Sequence, residues 1–307
     1  MLIGPELRHL CRAAFVLSHV YVDCVLRVAV AKAWSEGGAE MTNPNRAQQL
    51  HLLGSLVSAR CVAHLRAGSD HARVLDLGVG SGLAARAVLE HIPPDSSIVG
   101  VDESEAMLEL LRQNASPRER LAALPIGFDN LERSRSALGL VETATAAARP
   151  FACAMAVQSL HEVDNFTKRR ALSFARSALM PGRGTLYILD RFNFDPDSEL
   201  HDEYAAMWQA LQSSPISGWE WYEYQDYMRA KLDDAWASPQ QCVRLCNETG
   251  YDAEVLYLAF NRFLVAARPR PDADDERERL EEFEAWRRER LERLGAPSAS
   301  PTKGRIL

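Results

Sequence analysis

Between residues 73 and 190 the chain alternates short apolar runs with segments of helical periodicity. RVLDLG, SIVGVD, FACAMAV and GTLYILD are β-rich, and apolar positions recur at helical spacing over 82–91, 104–114 and 166–179. Alternation of this kind requires crossover connections. It predicts a doubly wound α/β fold, a mostly parallel sheet with both faces covered. Residues 121–126 read as one more short strand, while 130–149, rich in Ala and Arg, carry no assignable period. A helix over 239–249 then leads through Gly250 into AEVLYLAF and RFLVAAR, separated by Asn261. So tight a link joins only antiparallel neighbours.

The flanks differ. Residues 7–34 form one long apolar helical pattern that must dock on the domain body or on a second copy, so a homodimer through this helix is expected. Met41-Thr42-Asn43-Pro44 opens a second helix running to about residue 66, with Thr42 or Asn43 as N-cap. Either Met1 or Met41 serves as the native start. Residues 192–238 interrupt the alternation with a helical insert holding eight tryptophans and tyrosines, among them Trp208, Trp219 and Tyr222. Beyond Pro269 the pairs Glu284/Arg288 and Glu289/Arg293 have helical i,i+4 spacing, and the last residues read as disordered. Three regions follow: an apolar extension over 1–44, a central domain over 45–268 containing the insert, and a charged helix with tail over 269–307.

Composition narrows the function classes. Of 307 residues, 47% are hydrophobic and 25% charged, which supports a large core and excludes a wholly disordered chain. A net charge of −7 disfavours nucleic acid as a partner. The apolar N-terminal stretch is broken by His19, Asp23 and Arg27, and no small-residue cleavage site follows it, so neither a membrane span nor a secretory signal is expected. Six cysteines without a CxxC pair read as free thiols in a reducing compartment, and a cytoplasmic protein is the expectation.

Chemistry concentrates at Val74-Leu75-Asp76-Leu77-Gly78-Val79-Gly80-Ser81-Gly82, a strand that turns through three glycines into a helix. Glycine is needed where a ligand nears the backbone or φ turns positive, and the helix start offers free N–H groups. Dinucleotide sites prefer GxGxxG, but the third position of that pattern is Leu83 here. Twenty residues after Gly82, Asp102 ends the next apolar run, where a carboxylate can accept both hydroxyls of a ribose.

Asp-x-Gly-x-Gly-x-Gly followed by Asp102-Glu103-Ser104 and Met107-Leu108 resembles the class I S-adenosylmethionine-dependent methyltransferases. The resemblance covers roughly 45–268 and implies a Rossmann-like sheet of seven strands with the last antiparallel. It implies S-adenosyl-L-methionine as cofactor, held by Asp76, Gly78, Gly80, Gly82, Asp102, Glu103 and Met107. Asp129 falls where the family places an acid near the adenine amino group, and Gln158 where the fourth strand opens beside the sulfonium. Leu179-Met180-Pro181-Gly182-Arg183-Gly184 matches the family's turn before the fifth strand, with Arg183 replacing a glycine. Ala152 stands where the family's fourth motif has an acid.

Methyl transfer to oxygen needs proton removal, for which His161 and Asp190 are the candidates at the carboxyl edge of the sheet. His161 alternatively only bonds backbone and shapes the pocket, and Asp190 alternatively caps a loop. The aromatic insert and Arg191 suit a small organic acceptor, or the aromatics simply pack the insert. Metal dependence is not expected, because Gln158 stands near the family's metal-binding acid and no Asp-Asn pair follows Asp190. The expected function is methylation of a small molecule, most plausibly at oxygen. Two alternatives stand beside it. The C-terminal hairpin is loosely similar to enzymes of carboxy-S-adenosylmethionine chemistry on tRNA wobble uridine, with Arg191 the needed cation. The chain could also be a catalytically silent cofactor-binding assembly protein.

Overall fold

The computed structural model describes residues 45–114, 120–140, 150–180, 182–192, 236–259 and 261–270. The N-terminal apolar segment, the body of the insert with Trp208, Trp219 and Tyr222, and the charged C-terminal helix lie outside the described residues.

Among the described residues, twelve α-helices and β-strands follow one another. They are α1 (Arg46–Arg66), β1 (Ala72–Leu77), α2 (Leu83–Leu89), β2 (Ser96–Asp102), α3 (Glu105–Gln113) and β3 (Leu121–Pro125). After them come β4 (Cys153–Val157), α4 (Asn165–Ala178), β5 (Leu186–Arg191), α5 (Pro239–Glu248), β6 (Tyr251–Ala259) and β7 (Arg262–Pro269). The sheet runs β3-β2-β1-β4-β5-β7-β6. Strands β1 to β5 pair in parallel, whereas β7 pairs antiparallel with both β5 and β6. The expected seven-stranded, doubly wound sheet is therefore present, and β7 is the strand inserted between β5 and the edge.

Strand periodicity sorts the core into two layers. Val74 faces a cluster with Leu53, Val57 and Cys61 of α1, Val88 of α2 and Leu108 of α3. Its neighbours Leu75 and Leu77 face the opposite cluster, with Leu172 and Phe174 of α4 and Cys242 and Leu245 of α5. Cys242 and Cys246, four apart on α5, are both fully buried on that face.

Local chemistry sets several helix starts. Ser104 caps α3 by accepting from the Met107 N–H, Asp164 caps α4 by accepting from Thr167, and Ser238 caps α5 ahead of Pro239. The cap of α1 is Asn45, not Thr42 or Asn43, and its side chain makes no cap bond. FACAMAV is shorter as a strand than it reads, because Phe151 leaves the ladder for an isolated bridge to Leu179. Residues 130–149 escaped assignment because their described part contains only brief 3₁₀ turns, at Phe128–Asn130 and Glu132–Ser134. No helix among the described residues is long and apolar enough to cross a membrane.

Candidate functional site

β1 delivers Asp76 to the mouth of the sheet and then turns sharply. Gly78 (φ +80°) and Gly80 (φ +55°) both sit in the left-handed region. At Gly78 a Cβ would come within 2.4 Å of the Ser159 Cβ, so the turn packs directly on the segment leaving β4. The Ser159 hydroxyl fastens that contact by donating to the Leu77 carbonyl at 2.6 Å. A Cβ at Gly80 would meet nothing within 4 Å, which makes it the bare floor of an open crevice.

The crevice, of about 150 Å³, is lined by Arg46, Asp76, Gly78, Val79, Gly80, Ser81, Leu83, Ala84, Met107, Val157 and Gln158. Asp102, at the end of β2, bonds to its floor: one oxygen accepts the Gly80 N–H and the other the Ser104 N–H, both at 2.8 Å. Each oxygen keeps a further lone pair for an incoming hydroxyl. Gln158, with φ +52°, is the one non-glycine among the described residues held in the left-handed region. That conformation costs roughly 1–2 kcal/mol. Its side-chain oxygen accepts from Arg46 Nη1 at 3.3 Å.

Asp76 is 1% exposed, and neither carboxylate oxygen has a hydrogen-bond partner. Burial, reinforced by the negative charge of Asp102, pushes its pKa up to about 8. An orphaned acid at the base of an open crevice is a receptor for a cation with several N–H donors. The sulfonium nucleoside implied by the glycine turn carries such an ammonium on its amino-acid end. A bare glycine floor and a ribose-sized carboxylate complete the fit.

At the carboxyl ends of β4 and β5 lies a second polar cluster. His161 is 5% exposed, and Asp190 is fully buried. The His161 Nδ1 lies 2.6 Å from Asp190 Oδ1, and its backbone N–H donates to Oδ2 at 3.1 Å. The Trp236 indole N–H donates to the same Oδ2 at 2.9 Å, and the Arg191 backbone N–H to Oδ1 at 2.9 Å. Burial alone would raise the Asp190 pKa. The charge and hydrogen bond of His161, with the donors from Trp236 and Arg191, hold it below the usual carboxylate range. The other imidazole nitrogen, Nε2, stands 2.9 Å from Glu162, whose side chain is 39% exposed and also meets Arg191 at 3.4 Å.

The expected cofactor residues Asp76, Gly78, Gly80, Met107 and Gln158 thus converge on one crevice, with Asp102 bonded to its floor. Gly82 serves α2 instead, as its left-handed N-cap. Glu103 is exposed and packs toward Gly127. Asp129 is turned to the surface, where Arg170 Nη1 pairs with it at 3.0 Å. Neither acid is among the residues lining the crevice. Arg191 is buried beneath Glu162, away from that lining. Arg46 in the crevice and Trp236 on Asp190 went unseen in sequence, since both bond across long separations that no local pattern encodes.

Residues 75–186 match a family model described as a methyltransferase domain. No curated protein matches the chain. An O-methyltransferase family protein from Burkholderia thailandensis is similar in structure, with TM-score 0.55 and 13% identity over 87% of this chain and 71% of that one. A protein of Nostoc punctiforme PCC 73102 assigned as an O-methyltransferase reaches TM-score 0.50 and 18% identity, over 86% and 69%. At such identities the likeness speaks for the fold alone.

Proposed function

We propose that this chain, whose residues 75–186 match a family model described as a methyltransferase domain, is an S-adenosylmethionine-dependent enzyme that methylates a hydroxyl of a small organic molecule. S-adenosylmethionine supplies the electrophilic methyl when bound. Asp76 takes the ammonium of its amino-acid end, Asp102 its ribose hydroxyls, and Gly78 and Gly80 admit it against the backbone. Met107 and Leu83 give the crevice an apolar wall beside them. Alignment is the main contribution to rate, since well-held reactants reach effective molarities of about 10⁵–10⁸ M.

The observation that carries the choice of oxygen is the His161–Asp190 contact at 2.6 Å. In this reading His161, once Nε2 has passed its proton to Glu162, accepts the hydroxyl proton at that nitrogen, and Asp190 holds the ring's orientation and stabilises the imidazolium from the buried side. Glu162, the half-exposed member, passes that proton to solvent. An acceptor that is already a strong nucleophile would need none of this apparatus. In this reading the insert over 192–238 covers the acceptor, with Trp208, Trp219 and Tyr222 as its contacts. The protein acts in the cytoplasm as a homodimer.

Incubation with isotope-labelled S-adenosylmethionine and a metabolite extract, followed by mass spectrometry, tests the reading. A labelled O-methyl product is expected. Label on nitrogen or carbon would overturn the choice of acceptor atom, and a chain that binds the cofactor but labels nothing would favour a silent assembly role.

A further inference from the structure

The crevice holds two ionisable side chains among its described lining residues, and they are of opposite sign. Asp76 comes from β1; Arg46 is the first residue of α1, well upstream of the matched methyltransferase domain. Asp76 points to the same face of the sheet as Val74, the face on which α1 lies. The arginine therefore enters the crevice on the side of the orphaned acid. The amino-acid end of the cofactor is a zwitterion. Its ammonium finds Asp76, and its carboxylate needs a cation or a set of N–H donors.

We infer that Arg46 is a cofactor-binding residue, whose guanidinium takes the carboxylate of the amino-acid end while Asp76 takes the ammonium. The inference rests on the cofactor reading proposed above. Arg46 Nη1 already reaches into the site, donating to the neutral amide oxygen of Gln158 at 3.3 Å, a long bond for a charged donor. A carboxylate there would exchange that contact for charge-assisted bonds roughly twice as strong. Arginine suits the task because its planar fork meets a carboxylate with two parallel bonds, which a lysine cannot reproduce. Gln158 gains a purpose as well. Its left-handed backbone turns the residue at the end of β4 so that its amide meets Arg46 before any ligand arrives. The guanidinium is thereby held over the crevice rather than left to solvent.

A cycle between protein and ligand tests the assignment. Calorimetry would compare wild type, Arg46→Ala and Arg46→Lys binding S-adenosylhomocysteine and its decarboxylated analogue, which keeps the ammonium. Wild type should lose about tenfold or more in affinity when the carboxylate is removed, as expected for a hydrogen bond to a charged group. Arg46→Ala should bind both ligands alike, at the wild-type affinity for the analogue, and Arg46→Lys should fall between. Equal discrimination by wild type and Arg46→Ala would overturn the role of Arg46 while leaving the cofactor reading intact. Equal loss for both ligands would assign Arg46 to the fold instead. A wild-type chain that binds neither ligand would remove the cofactor reading and this inference with it.

Discussion

The indole N–H of Trp236 donates to Asp190 Oδ2 at 2.9 Å, joining the far end of the insert to the carboxylate that orients His161. Trp236 is fully buried, its ring edge-on to Phe263 and beneath the ammonium of Lys168 at 4.9 Å. Lys168 is buried too and donates to the Val163 carbonyl at 2.5 Å. Trp236→Phe keeps most of the packing and deletes one donor to a buried carboxylate. Stability should fall by about 1–3 kcal/mol, read from urea denaturation. The Asp190 pKa should also rise, because one of the groups holding it down is gone.

His161→Gln separates a base from a strut. If the proton passes through the imidazole, kcat should drop by about 10²–10⁴-fold while S-adenosylhomocysteine binds as before. A loss of melting temperature with kcat retained would leave His161 as a tie between β4 and β5.

Asp76 makes cofactor affinity depend on pH. Its pKa lies at about 8, against 3.8 for an ordinary aspartate. An ammonium alongside favours the ionised form, so below pH 8 binding must release a proton. Affinity should rise with pH up to about tenfold per unit and level off above 8. Calorimetry in two buffers of different ionisation enthalpy measures the proton directly, and identical heats would refute the account.

The same residue shapes stability without cofactor. A carboxyl whose folded pKa is raised contributes fully below pH 4 and loses that contribution as pH climbs toward 8. Asp76→Asn should therefore flatten the fall in melting temperature between pH 5 and 8. Because Asp102 adds to the upward shift, Asp102→Asn should move the whole Asp76 profile to lower pH.

Gly78→Ala and Gly80→Ala divide packing from binding. The first drives a Cβ to 2.4 Å from Ser159 in a left-handed backbone, so unfolding should become markedly easier. The second meets no atom within 4 Å and should cost only the backbone term, roughly 1 kcal/mol. Its methyl fills the crevice floor, and S-adenosylhomocysteine affinity should suffer more than the melting temperature.

The fold was legible because β1, β2 and β4 are short, apolar and each followed by a helical period, and because only an antiparallel hairpin can follow a link as short as Asn261. The glycine turn with Asp102 was legible for a similar reason: φ, close approach and ribose spacing all act over short stretches. Asp129 shows the limit. Its position along the chain suits adenine, yet Arg170 of α4, 41 residues on, draws it to the surface. Arg46 and Gln158 meet across 112 residues, a distance over which spacing carries no information. The orphaning of Asp76 is a property of three-dimensional surroundings, and a sequence records the acid but not its isolation.

The placement of β7 bears on how the chain is made. Residues 262–269 pair with β5 along its whole length, yet they are synthesised long after it, at about 5–20 residues per second. Until then β5 presents a bare hydrogen-bonding edge ending in Asp190, and the emerging chain is at its most adhesive. A nascent polypeptide stalled before residue 262 is therefore the species on which chaperones should act.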